Sequence, residues 1–174
     1  HEGKTGNGFS MREELIELII ERLERDLGPI RAEFTSERPV KTKYCAIDDL
    51  LPADIAQRIS DAFPDSGQMR LLDSFREKKY TSKSLDQFDP LIADITFAFQ
   101  DKRVIDKVAA LTGIKDAVGD PHLYAGGISA MERGHFLNPH LDNSHDGEQT
   151  NYRVLNLLYY ITPDWKPENG GNLE

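Results

Sequence analysis

The residues best suited to chemistry are concentrated in residues 139–146, which read PHLDNSHD. His140 and Asp142 are separated by one residue, so on an extended strand both side chains point to the same face. One imidazole and one carboxylate are two of the three ligands of a 2-His-1-carboxylate site, which leaves positions on Fe(II) open for other molecules. The spacing therefore predicts that His140 and Asp142 are metal ligands.

The same stretch also allows other interpretations. An H-x-D triplet on its own is common in surface loops. A metal-dependent hydrolase could combine this pair with His145 and Asp146, but paired-metal sites need four or more ligands on rigid elements. His145 and Asp146 fall in a polar loop, residues 143–151. We therefore expect His145 to be exposed and Asp146 to belong to a solvated turn.

Residues 153–161 alternate in a way that predicts a strand with two different faces. The apolar face, which we expect to pack under helices, consists of Leu155, Leu157, Tyr159 and Ile161. The opposite face consists of Val154, Asn156, Leu158 and Tyr160. Its two polar tips need partners if this face is buried, and a bound ligand would provide them. A solvated sheet face is the alternative.

The N-terminal elements that must support this stretch are helical. Apolar residues at a spacing of four predict a helix from residue 11 to about residue 27. Ser10 and Glu13 match a capping box at its start, and Gly28 with Pro29 predicts its end.

Further elements follow in the same way. Residues 43–47 read as a short strand and residues 53–63 as a helix. Asp89 and Asp101 are predicted N-caps of two more helices, the second of which ends at Gly113.

The C-terminal third differs from the rest in its glycine content and in the spacing of its apolar residues. From about residue 123 the glycines become frequent and the apolar residues alternate, which is typical of strands. Residues 172–174 are predicted to form a last strand after a Gly-Gly turn, and residues 65–87 a loop with one or two short strands. Helices first and strands last predict an α+β fold.

Composition narrows the function. The chain has 174 residues, with 21 Lys and Arg against 30 Asp and Glu, for a net charge of -9. Such a surface repels phosphate backbones, so we expect no nucleic-acid partner. No apolar stretch approaches the roughly 20 residues of a membrane span, so we expect a soluble, cytoplasmic protein with no membrane partner. Cys45 is the single cysteine, which excludes an intrachain disulfide. We interpret residues 1–10 as a tag remnant or flexible N-terminus, and residues 11–174 as one domain.

The run GHFLNPHLDNSHDGEQTNYRVLNLLYYITPDWKPENGGNLE, residues 134–174, resembles the core of Fe(II)- and 2-oxoglutarate-dependent dioxygenases, in particular the prolyl 4-hydroxylase branch. The shared features are the H-x-D-N step, the polar loop with Asp-Gly, the R-x-x-[TN]-x-[LI]-x-Y strand with its aromatic pair, the Asp-Trp turn and the Gly-Gly. The resemblance implies a double-stranded β-helix, or jelly roll, supported by N-terminal helices.

The resemblance also implies a role for each matching residue. His140 and Asp142 match the first two iron ligands. Tyr160 and Asn156 match residues of the 2-oxoglutarate pocket, and Arg153 matches an arginine near the substrate entrance. The implied cofactors are Fe2+ and 2-oxoglutarate, with ascorbate as a reductant. The implied substrates are dioxygen and a prolyl residue of a peptide or protein, with a small molecule as the other possibility.

The sequence also departs from the family. A tyrosine expected some ten residues before the iron histidine is absent, since residues 129–132 read SAME. The third histidine ligand and a carboxylate-binding Arg or Lys are expected after the Gly-Gly turn, hence beyond Glu174, so we expect the jelly roll to be incomplete at the C-terminus. If the histidines of this sequence must suffice, His122, His135 or His145 would supply the ligand. A jelly-roll module that binds a ligand or partner without catalysis is the alternative function.

Overall fold

The computed structural model of the protein describes residues 10–173, so most of the segment interpreted as a tag, residues 1–9, lies outside the described residues. The chain divides into two compact units. Within the described range, one unit comprises residues 10–52 and 94–119, and the other comprises residues 53–93 and 120–173. Among the described residues, none of the helices has the length and apolar character that a membrane crossing requires.

The first unit is helical. Helix α1 (Met11–Arg25) begins at Ser10, whose hydroxyl accepts a hydrogen bond from the Glu13 amide at 3.2 Å, so the predicted N-cap forms, whereas the Glu13 carboxylate of the predicted capping box accepts hydrogen bonds from Arg103. Helix α5 (Lys102–Thr112) packs on α1 and on α2 (Leu27–Thr35). Ion pairs join α5 to α1 at its polar edge, Arg103 with Glu13 at 2.9 Å among them. The core between these helices includes Leu15, Ile16, Ile19, Leu23, Ile30, Phe34, Val104 and Leu111.

The prediction that the first helix ends at Gly28 and Pro29 is wrong. The break comes at Asp26, and Leu27 already starts α2. Pro29 is then the third residue of α2, within the first turn, where backbone amides have no intrahelical acceptor and a missing N–H removes no helix hydrogen bond. The burial of Ile30 and Phe34 provides the packing that favours a second helix at this point.

Residues 43–47 do not form the predicted strand. A strand needs a neighbouring strand to satisfy its backbone, and this segment contacts side chains instead. The Ala46 amide donates to the carboxylate of Glu33, and the guanidinium of Arg38 stacks on the ring of Tyr44 at 3.7 Å.

Helix α4 (Pro90–Ala98) follows the sequence prediction more closely, as does the helix before it. Asp89 accepts a hydrogen bond from the Leu91 amide at 2.9 Å and so caps α4. Helix α3 (Ala53–Ala62) buries Ile55 and Ile59, two of the three residues predicted on its inner face, while the third, Phe63, is half-buried just after the helix ends.

The sheet of the second unit is antiparallel and has β2 (Glu77–Ser82) at its centre. Strand β1 (Arg70–Asp73) pairs with one edge of β2. Two short strands, β3 (Ile128–Ala130) and β4 (Phe136–Leu137), share the other edge, with the register Tyr80 to Ala130 and Lys78 to Phe136. Residues 131–135 loop out between β3 and β4, because one residue of β2 faces five of the opposite segment.

Helices and an antiparallel sheet in one chain are compatible with the predicted α+β fold. Two further predicted strands are wrong: residues 153–161 and residues 172–173 have no strand pairing, and Glu174 lies outside the described residues. The alternation along residues 153–161 is nevertheless present. The even-numbered residues from 154 to 160 are all exposed, whereas Leu155, Tyr159 and Ile161 are half-buried; Leu157 breaks the pattern at 51% exposed.

Two glycines in this fold predict opposite effects of the same substitution. Gly113 ends α5 with a φ of 75°, a left-handed conformation in which a Cβ is disfavoured. Gly113→Ala should lower the free energy of unfolding by about 1 kcal/mol. Gly28 lies inside α2 with no atom within 4 Å of an added Cβ, so Gly28→Ala should raise it by about 0.5 kcal/mol.

Urea denaturation of the two variants, compared with the unchanged protein, tests this pair. Both changes add one methyl group, so the opposite signs isolate the effect of backbone conformation. Two shifts of the same sign and size would contradict the assigned end of α5.

Candidate functional site

The site begins at the turn between β1 and β2. The Ser74 amide donates to the Glu77 carbonyl at 2.9 Å, and the Ser74 hydroxyl accepts from the amides of Arg76 and Glu77. Asn138 is held against this turn by two hydrogen bonds: its amide nitrogen donates to the Arg76 carbonyl at 2.9 Å, and its side chain donates to the Phe75 carbonyl at 2.8 Å. The segment after β4 is therefore fixed to the sheet two residues before His140.

Asn138 in turn fixes the imidazole of His140. Nδ1 of His140 lies 2.7 Å from the Asn138 carbonyl oxygen. A carbonyl can only accept, so Nδ1 carries the proton, and in the neutral ring Nε2 presents a lone pair. An N–H donated to a backbone carbonyl is a common way in which proteins orient a metal-binding histidine.

The second predicted ligand faces that lone pair. Nε2 of His140 is 3.3 Å from Oδ1 of Asp142. Two acceptors at this distance repel each other unless a cation, either a proton or a metal ion, is shared between them. Two atoms each about 2.1 Å from one metal ion and at a right angle lie about 3 Å apart. The two side chains thus fit adjacent positions on one ion, although they lie in an irregular segment and not on the predicted strand.

Asp142 is kept in its ionised form. The side-chain amide of Asn156 donates to Oδ2 of Asp142 at 2.8 Å, and this hydrogen bond is the largest influence that lowers the pKa of the carboxyl. The positive charge of Arg153, whose Nη2 lies 3.6 Å from Oδ2, lowers the pKa further. A carboxylate ligand must be deprotonated to bind a metal, so the surroundings favour binding.

A tight loop brings Arg153 and Asn156 back to Asp142. The Arg153 amide donates to the Ser144 carbonyl at 2.9 Å, and the rings of His145 and Tyr152 lie 4.3 Å apart across the loop. The carboxylate of Asp146 organises the interior, because it accepts hydrogen bonds from the Thr150 amide and hydroxyl and from the Asn151 side chain. These donors lower the pKa of Asp146 to about 2, the Thr150 amide being the largest influence.

The predicted site residues divide into two groups. His140, Asp142, Arg153 and Asn156 form one connected cluster. Tyr160 does not join it: its side chain is 72% exposed, and within residues 10–173 it makes no hydrogen bond to the cluster.

The other histidines lie elsewhere. His122 is exposed, and His135 lies beside the ring of Tyr80 at 5.3 Å. His145 is half-buried, contrary to the expected exposure, because Tyr152 covers one side and Ser144 binds its Nδ1 at 2.8 Å. Within the described residues no group of three His, Cys, Asp or Glu side chains is placed to hold a metal ion, so no third ligand joins His140 and Asp142 there.

Two parts of the site were missed by the sequence reasoning. Asn138 was not identified as the anchor of His140, although an Asn-Pro pair before a candidate ligand is a recognised turn signal. Asp146 was assigned to a solvated turn, whereas it closes the loop between the ligands and Asn156. A hydroxyl residue and an asparagine four and five positions after an aspartate are the donors that such a loop requires.

Residues 126–174 match the family model described as the 2OG-Fe(II) oxygenase superfamily. No curated protein and no solved structure matches the chain. The matched segment contains all four residues of the cluster. The match supports a 2-oxoglutarate-dependent dioxygenase with Fe2+ and 2-oxoglutarate as cofactors and with dioxygen and a further substrate as reactants. It also suggests a jelly-roll core.

The hydrogen bonds inside the loop predict an unusually acidic Asp146. Its carboxyl should titrate near pH 2 in the folded protein, well below the roughly 3.9 of an unstructured aspartate. Since the folded pKa is lowered, the loop gains stability from the ionised form above pH 4, and that gain is lost as the pH falls toward 2.

The measurement is an NMR titration of the Asp146 carboxyl carbon. Asn151→Leu removes one donor and should raise the pKa only part of the way, because both Thr150 donors remain. An ordinary aspartate pKa in the unchanged protein would show that the loop does not have these hydrogen bonds in solution.

Proposed function

We propose that this protein is an Fe(II)- and 2-oxoglutarate-dependent dioxygenase that hydroxylates an unactivated C–H bond in the manner of a prolyl 4-hydroxylase. The observation that carries the proposal is the convergence of His140 Nε2 and Asp142 Oδ1 at 3.3 Å inside the segment that matches the oxygenase family. The prolyl hydroxylase type rests on the resemblance of residues 134–174 to that branch. A non-catalytic binding module is not favoured by the family match.

His140 and Asp142 are the proposed iron ligands. Their atoms suit the ion, because an imidazole nitrogen with its proton on the far side and an ionised carboxylate are donors typical of non-haem Fe(II) sites. Iron with 2-oxoglutarate and dioxygen would supply the oxidation, with succinate and carbon dioxide as co-products, and ascorbate would serve as a reductant. A third protein ligand is still needed to complete the facial set.

The remaining cluster residues have proposed roles in binding. Asn156 and Tyr160 would contact 2-oxoglutarate, and Tyr160 is accessible for this purpose because its side chain is exposed. Arg153 would lie near the substrate entrance, where its charge orients polar groups of the substrate. These assignments come from the resemblance, residue by residue.

The surroundings of the ligands suit a substrate with an apolar reacting group. Phe75, whose carbonyl is held by Asn138, and Leu141, between the two ligands, are each 93% exposed. A prolyl ring in a peptide is apolar and compact, and it would gain from contact with such side chains. We therefore propose a peptidyl proline as the first substrate to test and a small molecule as the second.

The decisive experiment measures conversion of 2-oxoglutarate to succinate by the full-length protein with Fe(II) and proline-containing peptides. His140→Ala should reduce this conversion to background and weaken metal binding by well over the roughly 10- to 100-fold typical of an outer-shell change. His122→Ala is the matched control, because His122 is exposed and outside the cluster. It should leave both quantities unchanged.

Mass spectrometry of the peptide would identify the product as the addition of one oxygen atom. Anaerobic addition of Fe(II) and 2-oxoglutarate should also produce a weak visible absorption band in the unchanged protein and not in the His140→Ala variant. Persistence of turnover in that variant would disprove the ligand assignment.

A further inference from the structure

We infer that Asn156 and Arg153 are positioning residues that occupy Oδ2 of Asp142, so that this carboxylate binds the metal ion through Oδ1 alone. The inference rests on the proposed function and concerns how one ligand is presented. Neither residue needs to touch the ion for this role.

The two oxygens of Asp142 have different surroundings. Oδ2 accepts the hydrogen bond from Asn156 Nδ2 at 2.8 Å and faces Arg153 Nη2 at 3.6 Å. Within the described part of the chain, Oδ1 is paired with Nε2 of His140, at 3.3 Å. Binding of one ion by both oxygens would require Oδ2 to turn away from an amide and a guanidinium.

The amide of Asn156 is itself oriented. Arg153 Nε donates to Asn156 Oδ1 at 2.7 Å, which places the oxygen of the amide toward the guanidinium and its nitrogen toward Asp142. Arg153 is anchored through its own amide to Ser144. Arg153, anchored at Ser144, thus orients the Asn156 amide that donates to Oδ2. Asn156 cannot reverse this amide without losing both of its hydrogen bonds.

Single-oxygen binding has a chemical consequence. A bound Fe(II) ion would need open positions for the co-substrate and dioxygen, and His140 and Asp142 would each hold the ion through one atom. A carboxylate that used both oxygens would take one of those open positions. The Asn156–Arg153 pair therefore preserves a position that the proposed reaction needs.

The test compares Asn156→Leu with the unchanged full-length protein, using Mn(II) as the probe. Leucine has nearly the shape of asparagine but no donor, and Asn156 is exposed, so the variant should fold. Its affinity for Mn(II) should fall by about 10- to 100-fold, the usual effect of losing an outer-shell hydrogen bond.

A vibrational readout separates positioning from a general loss of structure. In infrared difference spectra, the gap between the antisymmetric and symmetric carboxylate stretches is wide for single-oxygen binding and narrow for two-oxygen binding. The gap should be wide in the unchanged protein and should narrow in Asn156→Leu. Asp142→Asn, which lacks the carboxylate, identifies the bands. Arg153→Met should change the gap in the same direction as Asn156→Leu, because the amide of Asn156 is then no longer oriented.

Asn172→Leu is the control, since Asn172 is an exposed asparagine outside the cluster. An unchanged gap and affinity in Asn156→Leu, with His140→Ala still impaired, would overturn this inference alone. If His140→Ala binds Mn(II) as tightly as the unchanged protein, the proposed metal site fails, and the inference fails with it.

Discussion

The site depends on one hydrogen bond, from Nδ1 of His140 to the carbonyl of Asn138 at 2.7 Å. It determines which ring nitrogen keeps a lone pair and where that lone pair points. Without this hydrogen bond the imidazole could rotate or change tautomer, and Nε2 would no longer be held with its lone pair facing the Asp142 carboxylate. The carbonyl can orient the ring because Asn138 is itself held in place by hydrogen bonds to two consecutive carbonyls of the β1–β2 turn.

The two ligands are held by different kinds of structure. His140 is held against the sheet by its hydrogen bond to Asn138. Asp142 is held by contacts with Asn156 and Arg153, which follow the loop. The loop holds its own shape by hydrogen bonds to Asp146 and by the pairing of Arg153 with Ser144. The ring of Tyr124 also packs closely against the loop at Gly147, where an added Cβ would lie 3.1 Å from the ring. Local polar contacts thus replace the regular strand that was predicted to carry both ligands.

The sequence predicted four of the five α-helices in the described residues, because caps and apolar periodicity are local signals, and it missed α2. Ser10, Asp89 and Asp101 cap the helices as expected, and Gly113 ends α5. The strands at residues 43–47 and 153–161 were predicted from the sequence of each segment, and a segment's own sequence does not supply the partner that a strand needs. Residues 153–161 keep most of the alternating burial without the pairing.

The candidate site was predictable in its ligands but not in its supports. A spacing of two identifies His140 and Asp142 as a pair, and the structure brings their donor atoms together. The contact of Asn138 with Phe75 joins two residues that are 63 positions apart in the chain, and the contact of Asn156 with Asp142 joins two that are 14 positions apart. Such distances are set by the fold, so periodicity and motif spacing carry no information about them.

The most direct test of the account is nitrogen-15 NMR of the imidazole of His140, assigned by comparison with His140→Ala. At mildly alkaline pH, where imidazoles are neutral, Nδ1 should carry the proton and Nε2 should not. Addition of Zn(II), a diamagnetic probe, should then shift the Nε2 resonance and leave the Nδ1 proton in place. A proton on Nε2 in the metal-free protein, or a Zn(II)-dependent shift at Nδ1 in place of Nε2, would contradict it.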